Sequence, residues 1–153
     1  SENDPDVAWS GTTNQYLVVW EDYRDPLHLS DLYGRRVRAT GSLVGDADVR
    51  LSGPNATSNE IRPAIAWSET SGQFLLVWQD QRAGAERDWD IYGRKVRSSG
   101  LPTGADFRIC GTAAVDVDRA PAVAWNDADN QYLVVWEDGR NPAGSIYGRL
   151  AAG

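Results

Sequence analysis

At 153 residues, with 41% hydrophobic and 24% charged side chains, the chain has a globular composition and enough length for one ordinary core. Its net charge of −7 argues against a nucleic-acid backbone or an anionic membrane as the main partner, because both attract basic patches. The single cysteine, Cys110, excludes an intrachain disulfide and a multi-cysteine metal site, and apolar runs of five or six residues are far too short to span a bilayer.

Taken from the N-terminus, the first apolar run is Pro5-Asp6-Val7-Ala8-Trp9, and after a polar turn comes Tyr16-Leu17-Val18-Val19-Trp20. Both return at an interval of 58 residues: Pro63-Ala64-Ile65-Ala66-Trp67 with Phe74-Leu75-Leu76-Val77-Trp78, then Pro121-Ala122-Val123-Ala124-Trp125 with Tyr132-Leu133-Val134-Val135-Trp136. Each copy must then be one supersecondary unit that stacks on its neighbours. Positions identical in all copies serve the fold of the unit; positions that differ are free to serve function.

The second copy gives the pattern in full. Pro63 opens a short first strand, where a residue without an N–H is acceptable, and 68–73 is a polar turn. Residues 73–79 read as a strand apolar on both faces, with Phe74, Leu76 and Trp78 on one and Leu75 and Val77 on the other, so both faces are expected to be covered. A polar loop, 80–90, leads to a third strand at 91–97, a turn-rich connection at 98–104 and a fourth short strand at 106–109. No helical periodicity is present, and the chain reads as all-β.

Four antiparallel strands per unit and a doubly apolar second strand predict β-propeller blades, which pack face to face around an axis. The blades are expected at 5–62, 63–120 and 121–153, the last lacking its outer strand. A β-trefoil, the chief rival, needs three whole units. Three blades form an open arc with a bare apolar face at each end, so either a homodimer closes a propeller ring or a longer parent chain supplies further blades. In the dimer, residues 1–4 of the partner are expected to cover part of the open edge. A start at Ser1 without a methionine is expected of a processed chain or an excerpt.

The pattern Ala-Trp, then Gln-Tyr/Phe-Leu-Val/Leu-Val-Trp-Glu/Gln-Asp-x-Arg, then Ile/Leu-Tyr-Gly-Arg, resembles the tandem repeats of large secreted bacterial proteins. That resemblance implies propeller-like repeats and an extracellular location. It does not select an activity, because such repeats occur in adhesion, binding and enzyme-associated modules alike. The third copy departs from it, with Leu150-Ala151-Ala152 where the others have a basic strand.

Six of the seven tryptophans are in register and read as blade-to-blade packing. The pairs Asp22/Arg24, Asp80/Arg82 and Asp138/Arg140 read as pins at strand ends, since three equivalent pairs spread around an axis do not converge on one reacting bond. Function is expected in the irregular loops between second and third strands, which should share a face with the blade-to-blade connections. The candidate ligand-binding residues there are Trp89, the one tryptophan out of register, with Arg87, Asp88 and Asp90, and Tyr23 and His28 from the first loop. No catalytic residue, metal ligand or cofactor site is expected; His28 is the only histidine, and 127–130 reads as a turn rather than a calcium loop. The expected function is non-enzymatic recognition of a carbohydrate or cell-surface partner. The alternatives are a fragment of a glycoside hydrolase-like propeller enzyme, or a purely structural assembly repeat.

Overall fold

A computed structural model describes residues 1–24, 29–53, 58–82, 89–111, 117–140 and 143–153. Eleven strands form among them, and no helix. The first sheet has the order β1-β2-β3-β4, with β1 (Glu2–Ser10), β2 (Gln15–Asp22), β3 (Asp31–Arg38) and β4 (Leu43–Arg50). The second repeats it with β5 (Glu60–Ser68), β6 (Gln73–Asp80), β7 (Asp90–Arg97) and β8 (Pro102–Arg108). The third has three strands, β9 (Arg119–Asn126), β10 (Gln131–Asp138) and β11 (Ser145–Ala152). Every pairing is antiparallel, and the chain is an arc of β-propeller blades, as the repeat predicts.

The first hairpin of each blade turns through a left-handed residue, and the sequence provides one suited to it each time: Asn14, Gly72 and Asn130, with φ of 55°, 64° and 55°. Asp127 and Asp129 lie in the third of these turns, where Asn126 Nδ2 donates to Asp129 Oδ2 at 2.8 Å.

The core lies between blades. Leu17, Val19, Leu32 and Leu51 of the first blade pack on Ile65, Trp67, Phe74, Leu76 and Trp78 of the second. The other face of the second blade, Leu75, Val77, Ile91 and Ile109, packs on Tyr132, Val134 and Trp136 of the third. Phe74, Leu75, Leu76, Val77 and Trp78 are all buried, so the doubly apolar strand is covered on both sides. Tyr-Gly-Arg in the third strand has its own reason: a Cβ on Gly34 would stand 2.6 Å from Leu51 Cδ1, and one on Gly93 2.8 Å from Ile109 Cδ1, where the outer strand folds its last apolar residue inward.

Two differences from the sequence reading matter. The outer strand begins earlier than 106, at Pro102, because Gly104 (φ 70°) sits in a bulge that lets Pro102 and Thr103 pair with Val96 and Lys95. The inner strands also begin before their proline. Pairing resumes beyond a second bulge, so Glu2 and Asn3 oppose Asp22 and Glu21, and Glu60 and Ile61 oppose Asp80 and Gln79. Residues 2–4 are therefore part of the first blade's own inner strand rather than a free arm to cover a partner's outer edge.

Candidate functional site

The Asp-x-Arg motif builds one end of each blade. In the second copy, Asp80 accepts the Trp78 indole N–H (2.8 Å), the Arg82 backbone N–H (2.8 Å) and the Arg82 guanidinium (2.6 Å). The guanidinium then lies over the Tyr92 ring at 4.0 Å and reaches Asp106 at 3.0 Å. Arg24 repeats this with Asp22, Tyr33 and Asp48, and Arg140 with Asp138 and Tyr147. These repeated groups hold the loop after the second strand. Burial pulls the Asp22 carboxyl upward, but the Arg24 and Trp20 hydrogen bonds hold it below its ordinary value.

The described ends of the loops that follow lie beside the described ends of the blade-to-blade connections. Ser30 bridges to Asn59, Gln81 N donates to Asn59 O at 3.0 Å, and Asp118 N donates to Trp89 O at 2.8 Å. Trp89 is half-buried at the joint of the second and third blades. Asp90 beside it is buried, takes Arg108 Nη2 at 2.5 Å, and lies 3.4 Å from Cys110 Sγ. Tyr23 is exposed, and its hydroxyl donates to Glu21 Oε2 at 3.0 Å. His28, Arg87 and Asp88 lie outside the described residues.

Asp90, Cys110 and Asp118 bring three potential ligand atoms within 4.8 Å of one another, all buried. Their lone pairs are engaged: Arg108 on Asp90, the Ile91 N–H on Cys110 Sγ at 3.2 Å, and the Trp136 indole on Asp118 at 3.0 Å. The preceding joint repeats the construction with Asp31, Ser52 and Glu60; Arg50 meets Asp31 at 2.5 Å, and Ser52 Oγ accepts the Leu32 N–H. Burial pushes the Cys110 thiol up to about 12, so it stays protonated and unreactive. The cluster is a staple between blades.

A different set of residues departs from the repeat. The bulges at the start of the inner strands hold Asp4, Arg62 and Ala120, all left-handed, with φ of 43°, 53° and 48°. The backbone is the same three times; the side chains are not. Each later bulge gives its N–H to the blade before it, Arg62 N to Glu21 Oε1 (3.1 Å) and Ala120 N to Gln79 Oε1 (3.3 Å). Glu21 is buried beneath this junction, between the Arg62 N–H, the Tyr23 hydroxyl and the Asp4 carboxyl. Burial raises its pKa, and the hydrogen bond with Asp4 raises it further against the opposing pull of the Arg62 N–H. Asp6 lies next along the strand and accepts Ile65 N at 2.8 Å. Exposed Asp4, Arg62 and Tyr23 thus surround a buried carboxyl at the loop end of the inner strands. The sequence reading passed over Asp4 because it began each blade at the proline, and over Glu21 because it stands inside the recurring Trp-Glu/Gln-Asp motif. The signal was there: Asp4/Arg62/Ala120 and Glu21/Gln79/Glu137 vary within an otherwise constant frame.

No protein-family profile and no curated protein matches the chain. Solved structures do. An N-acetylgalactosamine deacetylase from F. plautii, in complex with blood group B trisaccharide, superposes with a TM-score of 0.67 at 11% identity, over 98% of this chain and 49% of that one. An endo-arabinase from Bacteroides thetaiotaomicron gives 0.66 at 12%, over 97% and 55%. A Penicillium chrysogenum alpha-L-arabinanase complexed with arabinobiose gives 0.60 at 13%, over 84% and 40%. The likeness is one of fold, that of propeller blades, and the chain spans about half the length of the structures it matches.

Proposed function

We propose that the chain is a non-enzymatic carbohydrate-binding part of a β-propeller, working outside the cell within a ring of blades that a second copy or further blades complete. One observation carries this reading. The positions where the three repeats differ in side chain but not in backbone meet at one end of the inner strands, as Asp4, Glu21, Tyr23 and Arg62. A carboxylate, a guanidinium and a phenol edge are the groups that recognise vicinal sugar hydroxyls, and half-buried Trp89 adds an aromatic plate on the same end of the next joint. The solved structures with bound trisaccharide and arabinobiose lend support as carbohydrate-handling users of this fold.

Hydrolysis is the second reading, favoured by the raised pKa of Glu21. Its geometry counts against it. Two carboxyls that flank a glycosidic bond stand about 5–9.5 Å apart, whereas the Asp4 carboxyl stands against Glu21, near enough to push its pKa up. A pair this close offers an edge for binding rather than two groups on opposite sides of a bond. A glycan array followed by calorimetry separates the readings. We expect binding without turnover of chromogenic glycosides, weakened about tenfold or more by Asp4→Ala and by Tyr23→Ala. No binding on the array, or turnover lost in Glu21→Gln, would remove the non-enzymatic reading.

A further inference from the structure

The two outward blade faces carry apolar and aromatic residues at the same repeat positions as the two buried joints. On the first blade Val7, Trp9, Tyr16, Val18 and Trp20 stand where Ile65, Trp67, Phe74, Leu76 and Trp78 bury themselves on the second. On the third, Leu133, Val135 and Ile146 stand where Leu75, Val77 and Ile91 meet the next blade. Exposure changes accordingly: Val7 is 52% and Ile146 72% exposed, while Leu75, Val77 and Ile91 are fully buried. The polar contacts are half-made too. The second and third blades give the N–H of a left-handed bulge residue to the blade before, at Glu21 and Gln79. Left over are one such donor residue, Asp4, on the first blade, and one such acceptor, exposed Glu137, on the third. Tyr132 OH donates to Gln73 O across the second joint at 2.8 Å; exposed Tyr16 and half-buried Gln131 are the corresponding residues on the outward faces.

We infer that a second copy of this chain seats its third blade against the first blade of the other, head to tail, so that Glu137 of the second copy accepts the Asp4 N–H and joins Asp4, Glu21 and Tyr23 in one composite site. Two such seams close a ring of six blades. The seam adds a carboxylate beside a carboxyl pair, so glutamine, which the second blade already uses as Gln79, is the better acceptor at 137. The site part of this inference rests on the carbohydrate-binding reading; the assembly part does not.

Light scattering on the full chain at micromolar concentration reads the assembly without any glycan. We expect twice the 16.8 kDa of one chain. Ile146→Glu and Val7→Glu, both on exposed side chains and checked for fold by circular dichroism, should each give monomers. Their equimolar mixture should give a heterodimer, because each variant keeps the one face the other has lost. Glu137→Ala should weaken the dimer and Glu137→Gln keep or tighten it. A monomeric wild-type chain, open-ended oligomers, or a dimer indifferent to all these changes would overturn the inference. Glycan binding by a monomer would leave the carbohydrate reading standing while ring closure fell.

Discussion

Glu60 is fully buried between the first and second blades, with Ser52 beside it and Arg82 Nη2 3.5 Å away, both pulling its pKa down. Burial first, then the nearby Asp80 charge, pushes its pKa up to about 8. A raised carboxyl pKa favours the folded chain while the group is protonated. Its contribution is complete below the ordinary value near 4.5 and is lost as pH rises through about 8. Urea unfolding should therefore show stability falling between these limits. Glu60→Gln should flatten that slope and be the more stable protein above pH 8, by roughly 1–3 kcal/mol. An unchanged slope in the variant would place the titration elsewhere. Nothing in the sequence singled out Glu60, because its burial depends on a strand start that the proline at 63 concealed. The constant Asp-x-Arg pairs were legible, since threefold recurrence marks a residue as structural before any coordinate is known.

At the scale of the strand, the second blade carries the heaviest load, being covered on both faces. Asp80 there ties together the Trp78 indole, the Arg82 backbone and the Arg82 guanidinium. Asp80→Ala should cost about 3–5 kcal/mol, as expected when one partner of a buried pair is removed. Asp138→Ala should cost less, because Trp136 bonds Asp118 instead and Arg140 is more exposed. Equal losses in denaturant titrations would deny the difference. Gly93→Ala should destabilise by roughly 1–3 kcal/mol by driving Ile109 out of its place over the third strand. The hairpins and the doubly apolar second strands were readable from period and turn chemistry. The outer strand's start and the inner strand's extension were not, because each depends on a bulge, and a bulge breaks the alternation from which strands are read.

Across the whole molecule, protection should follow coverage. Amides of β6, inside both joints, should exchange most slowly with deuterium, and those of β11, an uncovered edge, among the fastest in an isolated arc. Ring closure would slow exchange in β1 and β10 selectively, so a comparison of dilute and concentrated samples reads assembly strand by strand. Uniform protection at all concentrations would mean that the blades do not differ as their burial implies. The arc itself was foreseeable from the 58-residue period. The meeting of Asp4, Glu21 and Tyr23 with Arg62 was not, because it joins residues from two repeats that only the joint between blades brings together.

The left-handed residue that opens each inner strand hands its N–H backward, from Arg62 to Glu21 and from Ala120 to Gln79, never forward. Each 58-residue segment thus carries the donor for the joint behind it and, a strand later, the acceptor for the joint ahead. Copying that segment in the gene copies a complete coupling. A lineage can lengthen or shorten such an arc by unequal recombination without inventing a new contact, and the side chain on the bulge is then free to diverge while the backbone beneath it keeps the joint.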